Sequence, residues 1–340
     1  MIPRSMALFV SSITIGSPLA CVPGDDRGRA RGCDPRTRAS ASGETRERTM
    51  QQFEGRVAVV TGAGGKVGLA LSRRFAREGM SVAMADVHAE DLEAAKAQLV
   101  EEGVDAGRLI TVETDVTKSE SVQRLADAAV EAFGGVHVVC NNAGVNPQDI
   151  SIWEATEEDW RWALGVNLWG AIHGTRIFIP LMLAQDDEGH LVNTASAAGL
   201  GARPGMGSYV VSKTGIVALT EVLYHELRRL DAKVSCSVLC PGRIRGGGTR
   251  NRRPDEFRTP GDEVQAARDH ELYQRALARQ AEMGGPGYIP PDDVANIVVE
   301  GVRDNRFYLF THPEATSGRV LERAEALAAL EPPSLAGSIF

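Results

Sequence analysis

Residues 57–68 read Val57-Ala58-Val59-Val60-Thr61-Gly62-Ala63-Gly64-Gly65-Lys66-Val67-Gly68. The apolar run at the start suits a strand buried on both faces. Four glycines within the next seven residues then break it, and an amphipathic helical pattern opens at once. A glycine-rich strand-to-helix turn lets backbone N–H groups approach a pyrophosphate at the positive end of a helix. A flexible turn without a ligand is the alternative for such a cluster taken alone. Its place at the first strand-to-helix turn of a sheet favours the phosphate reading, with Gly62, Gly64, Gly65, Lys66, Val67 and Gly68 as candidate contacts.

The same rhythm continues outward. Near-continuous apolar runs at 57–61, 81–86, 109–115, 136–141, 190–195, 234–239 and 307–310 read as strands. Helical patterns fall near 67–78, 89–102, 119–133, 157–184, 209–230 and 291–303. Alternating strand and helix predicts a doubly wound, three-layer α/β/α fold on a seven-stranded parallel sheet. The stretch 243–290 breaks the alternation with a polar, Arg- and Gly-rich insert. It follows the sixth strand, at the end of the sheet where ligands bind in such folds, and is expected to be a substrate lid.

Composition narrows the function classes. The chain has 340 residues, with 43% apolar and 24% charged, which suits a globular protein with a large core. Five cysteines are too few for a disulfide scaffold, so a cytoplasmic location is expected. The net charge of −8 argues against a nucleic-acid binder. That sum conceals a split: residues 1–49 carry eight Arg, no Lys and five acids, a net of +3, which leaves −11 for 50–340. Residues 7–20 form an apolar run ahead of Cys21, faintly like an export signal. The run is too short to span a bilayer, and no other segment looks transmembrane. The preferred reading makes 1–49 a disordered leader and 50–340 a single catalytic domain.

Asp86 closes the second strand, 18 residues after Gly68. A carboxylate there accepts hydrogen bonds from the adenosine ribose hydroxyls and repels a 2′-phosphate, which favours NAD over NADP. A helix N-cap is the competing role. Farther on, Tyr209-Val210-Val211-Ser212-Lys213 puts a phenol and an ammonium four residues apart, on one face of a helix. Tyrosine titrates near 10. A cation about 4 Å away, at an effective dielectric near 20, supplies roughly 4 kcal/mol, or about three pK units. That would bring the phenol within reach of acid–base work. Ser196 lies 13 residues upstream, just after a strand, where its hydroxyl can meet a substrate carbonyl. No His, Cys or carboxylate cluster has metal-ligand spacing, so no catalytic metal is expected.

With these motifs in place, the chain resembles the short-chain dehydrogenase/reductase family over about residues 53–312. The resemblance rests on the glycine loop 61–68, Asp115-Val116, Asn141-Asn142-Ala143-Gly144, Asn167, Ser196, Tyr209 with Lys213, and Pro241-Gly242, all in family order. It implies the Rossmann fold, with Tyr209 as general acid/base, Lys213 lowering its pKa and binding the nicotinamide ribose, Ser196 orienting the substrate oxygen, and Asn167 holding a relay water. It places Asp115 and Val116 beside the adenine, Asn142, Ala143 and Gly144 along the cofactor, and Pro241, Gly242 and Ile244 on the nicotinamide side. It also implies a homodimer or homotetramer built through the helices at 157–184 and 209–230. Two departures stand out. Lys66 takes the place of a glycine usual in the family's shorter branch, and the loop then fits the spacing of the extended branch. Gly246 stands where a threonine often meets the carboxamide, with Thr249 nearby.

The expected activity is interconversion of a secondary alcohol and a ketone with NAD. An NAD(H) sensor without turnover and an isomerase or lyase using transient oxidation are the competing readings. For the substrate side, Arg243, Arg245, Arg250, Arg252, Arg253 and Arg258 fit either an anionic substrate or a solvated lid. Trp153 fits an apolar pocket or packing, and Cys140, Cys236 and Cys240 read as inert core residues.

Overall fold

The computed structural model describes residues 50–146, 151–245 and 287–333, together with Pro254 and Phe257. These residues all belong to one unit, Glu47–Phe340. The leader 1–49, most of the expected lid, and Gly246, Thr249, Arg250, Arg252, Arg253 and Arg258 lie outside the described residues.

Seven strands form one parallel sheet: β1 Val57–Thr61, β2 Ser81–Asp86, β3 Leu109–Glu113, β4 Val138–Asn141, β5 Gly189–Thr194, β6 Val234–Cys240 and β7 Tyr308–Phe310. Their order is β3-β2-β1-β4-β5-β6-β7, and every pairing is parallel. The chain runs outward from β1 to β3 and then returns to place β4 against β1. That reversal opens the crevice between β1 and β4 where doubly wound sheets bind ligands.

Eight α-helices cover the two faces among the described residues. They are α1 Lys66–Arg77, α2 Ala89–Glu101, α3 Ser119–Phe133, α4 Glu157–Ala163, α5 Gly170–Ala184, α6 Gly207–Arg229, α7 Pro291–Arg303 and α8 Pro313–Ala329. Side chains alternate across a strand, so β1 feeds both layers. Ala58 and Val60 join a core with Leu71, Phe75, Leu92, Leu99, Val294 and Val298. Val59 joins the opposite core with Leu125, Phe178, Met182, Leu223 and Leu227. Full burial of a side chain such as Phe75 or Phe178 contributes about 1.5–3 kcal/mol each. Helix ends follow local chemistry: Thr156 and Asp159 form a capping box on α4, Gly134 ends α3 in the left-handed region, and Pro291 opens α7.

Four findings depart from the sequence expectation. The single helix expected over 157–184 is interrupted by a π-helix at Leu164–Trp169. Close packing accompanies the break, because a Cβ on Gly170 would lie 2.9 Å from Val116 Cγ2. Strand β3 ends at Glu113 instead of 115, since the Asp115 N–H turns to Ser121 Oγ at 3.1 Å. Strand β4 starts at Val138, two residues later than expected. Helix α8 is an addition; it is exposed along most of its length, with Leu321 and Leu327 on its surface. Its sequence therefore lacks the buried stripe by which helices are read. Among the described residues, no helix is long and apolar enough to cross a membrane.

Candidate active site

The glycine loop is shaped by three backbone requirements. Gly62 has φ +70°, and a Cβ there would lie 2.9 Å from Ala143 Cα. A Cβ on Gly68 would lie 2.0 Å from the Gly62 carbonyl oxygen, so the helix can approach the turn only without a side chain. The Gly65 N–H closes the turn onto Gly62 O at 3.1 Å. Lys66 begins α1 and is exposed. A side chain is tolerated there because it points to solvent, so Lys66 does not disturb the turn. Gly65 at the N-cap supplies no side-chain cap, which leaves the first turn of α1 to backbone N–H groups alone.

Asp86 holds this loop from below. Its Oδ2 accepts from Gly64 N at 3.0 Å and its Oδ1 from His88 N at 3.1 Å. The N-cap of α2 is His88, so Asp86 is a loop-bracing carboxylate and not a helix cap. Asp115 is similarly engaged: its Oδ1 accepts from Thr117 N and Oγ1 at 3.0 and 2.7 Å, and Oδ2 pairs with Lys118 at 3.0 Å. Burial works to raise the Asp115 pKa, but the Thr117 and Lys118 contacts outweigh it and hold the carboxyl below its usual range. Val116 is buried, and its carbonyl accepts from His173 Nδ1 at 3.0 Å. His173 in turn lies against Trp169, with ring centroids 5.5 Å apart.

Thr61 ties β1 to the Asn142-Ala143-Gly144 turn. Its Oγ1 accepts from Asn142 N at 2.9 Å and Ala143 N at 3.0 Å, and its carbonyl accepts from Asn142 Nδ2 at 2.9 Å. Behind the turn, Asn141 Nδ2 donates to Asn193 Oδ1 at 2.9 Å, and Asn193 Nδ2 donates to Thr220 Oγ1 at 3.0 Å. This buried chain joins β4, β5 and α6. Each member is satisfied, which is what allows polar groups to sit in the core.

Tyr209, Lys213, Ser196 and Asn167 converge at the carboxyl ends of β4–β6. Lys213 is buried and donates from Nζ to Thr194 O at 2.9 Å, and its Nζ lies 5.7 Å from the Tyr209 ring centroid. Ser196 Oγ accepts from Ala198 N at 3.1 Å and donates to Pro241 O at 3.5 Å, which links β5 to the Pro241-Gly242 segment. Asn167, inside the π-helix, accepts from Val145 N at 2.8 Å through Oδ1, while Nδ2 donates to Val145 O and to Ser212 Oγ, both at 3.0 Å. Ser212 donates to Tyr209 O at 2.7 Å. Gly144 faces the group, since a Cβ there would lie 3.2 Å from Asn167 Oδ1 and 3.4 Å from Lys213 Nζ.

The titration of the pair differs from the expectation drawn from Lys213 alone. Burial pushes the Tyr209 phenol above its ordinary value, and a hydrogen bond with Ser196 pulls it back only in part. Burial also pushes the Lys213 ammonium down to about 8. The reason is shared: both groups are largely removed from water, so each charged form loses hydration before their mutual attraction counts.

Other expected residues are placed as follows. Pro241 is buried, and Ile244 packs on the core and bridges Ile289. Trp153 is 82% exposed, whereas Trp162 is buried. Cys140, Cys236 and Cys240 are buried free thiols, and burial pushes all three up, to about 12 for Cys236 and Cys240. Sequence reasoning missed His173, Asn193 and Thr220, whose partners lie 27 to 57 residues away in the chain. Ser212 was in view inside the Tyr209–Lys213 motif, but its link to Asn167 was not.

A family model described as short chain dehydrogenase matches residues 56–256. Among known proteins, the chain is 36% identical over 261 residues to a 1-deoxy-11-beta-hydroxypentalenate dehydrogenase of Streptomyces exfoliatus, covering 76% of this chain and 84% of that one. It is 32% identical to a CLA biosynthesis dehydrogenase/reductase of Lactiplantibacillus plantarum, covering 78% and 91%. A crystal structure of a short chain dehydrogenase/reductase from Burkholderia phymatum in complex with NAD matches with a TM-score of 0.74 and 40% identity, covering 84% of this chain and 98% of that one.

Proposed function

We propose, from the premise that this chain belongs to the short-chain dehydrogenase/reductase family of oxidoreductases, that it interconverts a secondary alcohol and a ketone with NAD. The observation that carries the reading is the convergence of Ser196, Tyr209, Lys213 and Asn167 beside Gly144. The residues fit a dinucleotide: Gly62 and Gly68 leave a cradle that a Cβ would fill, and the buried Thr194 hydroxyl has no partner among the described residues. Gly62, Gly64, Gly65, Lys66, Val67 and Gly68 would hold the pyrophosphate, Asp86 the adenosine ribose, Asp115 and Val116 the adenine. Asn142, Ala143 and Gly144 would run along the cofactor, and Pro241, Gly242 and Ile244 would flank the nicotinamide. When bound, the nicotinamide supplies the hydride chemistry.

The protein supplies the proton and the positioning. Ser196 and Tyr209 grip the substrate oxygen, and Tyr209 donates a proton in reduction or removes one in oxidation. Lys213 orients the ribose and favours the phenolate. The Asn167 side chain is committed to Val145 and Ser212. A water held by Asn167 therefore falls to its backbone carbonyl, in a π-helix whose altered register frees such groups. The substrate would be a terpenoid- or steroid-like secondary alcohol; one relative is named for a hydroxypentalenate. Exposed Trp169, at the end of the π-helix that leads into α5, and exposed Val211 and Val222 on α6 lie on the segments through which a homodimer or homotetramer would form. The working unit is 50–340, with 1–49 as a dispensable leader, in the cytoplasm.

The test is NADH formation from a panel of secondary alcohols, and ketone consumption in reverse, followed across pH. With Tyr209 raised, the phenol is neutral at neutral pH and already competent as an acid. Oxidation needs the phenolate, so its kcat/KM is expected to climb as pH rises from neutral. Reduction is expected to hold and then fall as the phenol ionises. No turnover in either direction would remove the reading, and parallel profiles would remove Tyr209 from its role.

Cofactor preference has its own test. Asp86→Asn keeps a side-chain oxygen for the Gly64 N–H but removes the charge that faces the ribose. At an effective dielectric between water and protein surface, one unit of repulsion about 4 Å away amounts to roughly 1–4 kcal/mol. The ratio of kcat/KM for NADP to that for NAD is therefore expected to rise about tenfold or more. An unchanged ratio would show that another residue sets the preference.

A further inference from the structure

Gly242 lies on the nicotinamide side of the proposed site, and its conformation is held by residues that follow the neighbouring edge strand, β7. Its N–H donates to Thr311 Oγ1 at 2.8 Å. Thr311 is buried and follows β7. The Thr311 hydroxyl lies 2.7 Å from His312 Nδ1, and His312 Nε2 lies 2.8 Å from Gly287 O. A carbonyl only accepts, so Nε2 carries a proton and donates to Gly287. In neutral His312, Nδ1 is then an acceptor, and the Thr311 hydroxyl, already accepting from Gly242, donates to it. The result is one directed chain: Gly242 N–H to Thr311, Thr311 to His312, His312 to Gly287.

Packing closes the same clamp. The His312 ring sits directly against Gly242, where a Cβ would lie 2.5 Å from Nδ1. Next door, Arg245 N donates to Ile289 O at 2.8 Å and Ile289 N to Arg243 O at 3.2 Å. Arg243 also lies over the Tyr288 ring at 5.4 Å. The segments 241–245 and 287–289, separated by the insert, thus form a short parallel bridge locked on one edge by His312. The other edge meets the catalytic centre, because Pro241 O accepts from Ser196 Oγ and from Ala197 N.

Resting on the proposed NAD-dependent reading, we infer that His312, acting through Thr311, is a positioning residue for the nicotinamide end of the cofactor. It sets the Pro241-Gly242 backbone against which the nicotinamide would lie and does not itself touch the reacting atoms. The adenosine end is held by Asp86, Asp115 and Val116 on the opposite side of the β1–β4 crevice and is independent of it.

The test compares NADH with ADP-ribose, which lacks the nicotinamide ring. In the full chain, His312→Ala is expected to weaken NADH binding about tenfold, through the loss of the hydrogen bonds to Thr311 and Gly287, with ADP-ribose binding unchanged. Thr311→Val is expected to do the same, and Thr311→Ser, which keeps the hydroxyl, to bind NADH as the parent does. The threonine pair reports even if His312→Ala folds poorly. Equal weakening of both ligands, no weakening of either, or a Thr311→Ser variant as impaired as Thr311→Val would overturn the assignment. A parent chain that binds neither ligand would overturn the proposed function itself.

Discussion

Replacing Tyr209 with phenylalanine is expected to lower turnover by about 10²–10⁴-fold while leaving NADH affinity near that of the parent, since general acid–base catalysis is worth about that much. The ring and its packing persist in the variant; only the hydroxyl that Ser196 shares is lost. Burial holds the phenol above its ordinary value, so it is a proton donor at neutral pH, and the hydroxyl that it contacts is that of Ser196. The Ser196 hydroxyl is already turned to Ala198 N and Pro241 O. Stopped-flow measurement of single-turnover hydride transfer, alongside NADH titration, separates chemistry from binding. A variant that retained parent turnover would remove Tyr209 from the acid–base role, and one that lost NADH binding as well would recast it as a structural residue.

The second large effect is expected from Gly68→Ala. The new Cβ would lie 2.0 Å from the Gly62 carbonyl oxygen, 2.6 Å from its carbon and 2.7 Å from Ala63 Cα. These are backbone atoms, and they cannot rotate away as a side-chain tip would. Relief requires α1 to back off from the turn, which opens the cradle and strains the contact between α1 and the sheet. Overpacking of this kind costs about 1–3 kcal/mol. For a chain of this size that lowers Tm by several degrees, roughly 2–4 °C per kcal/mol. NADH affinity is expected to fall by about tenfold or more, because the helix N-terminus moves away from where the anion sits. Gly65→Ala is the control: its Cβ would meet only the Gly62 oxygen, at 3.3 Å, so a small adjustment suffices and both losses are expected to be mild. If Gly68→Ala bound NADH as tightly as Gly65→Ala does, the close approach would not be what the cradle depends on.

The strands and most helices were legible in the chain because their signals are local. Apolar runs of five or six residues, such as 57–61 and 81–86, match the observed bounds of β1 and β2 residue for residue. The glycine turn was legible in part for the same reason: Gly68 is needed by contacts with Gly62 and Ala63 a few residues earlier, whereas the close approach at Gly62 is to Ala143, about eighty residues on. Helix α8 was not, since its surface is mostly exposed and no buried stripe marks it. The break at Leu164–Trp169 was not either, because it accompanies packing against Val116, about fifty residues earlier in the chain.

The sequence by itself therefore determined the order of elements, the parallel sheet, and the identity of the residues that meet at its carboxyl edge. The first two follow from period, turn chemistry and spacing, which are properties of neighbouring residues; the third was what the resemblance to the short-chain dehydrogenase/reductase family implied. Only the tertiary structure decided how these groups behave once together. It set the direction of the Tyr209 and Lys213 titrations, because desolvation depends on everything packed around a group and not on its neighbours in the chain. It also decided that Asp86 braces the loop instead of capping α2, that Asn167 is spent on Val145 and Ser212, and that Gly242 is held by Thr311 and His312 some seventy residues away. Each is a contact between distant segments, and such contacts exist only after the sheet has brought their ends to one edge.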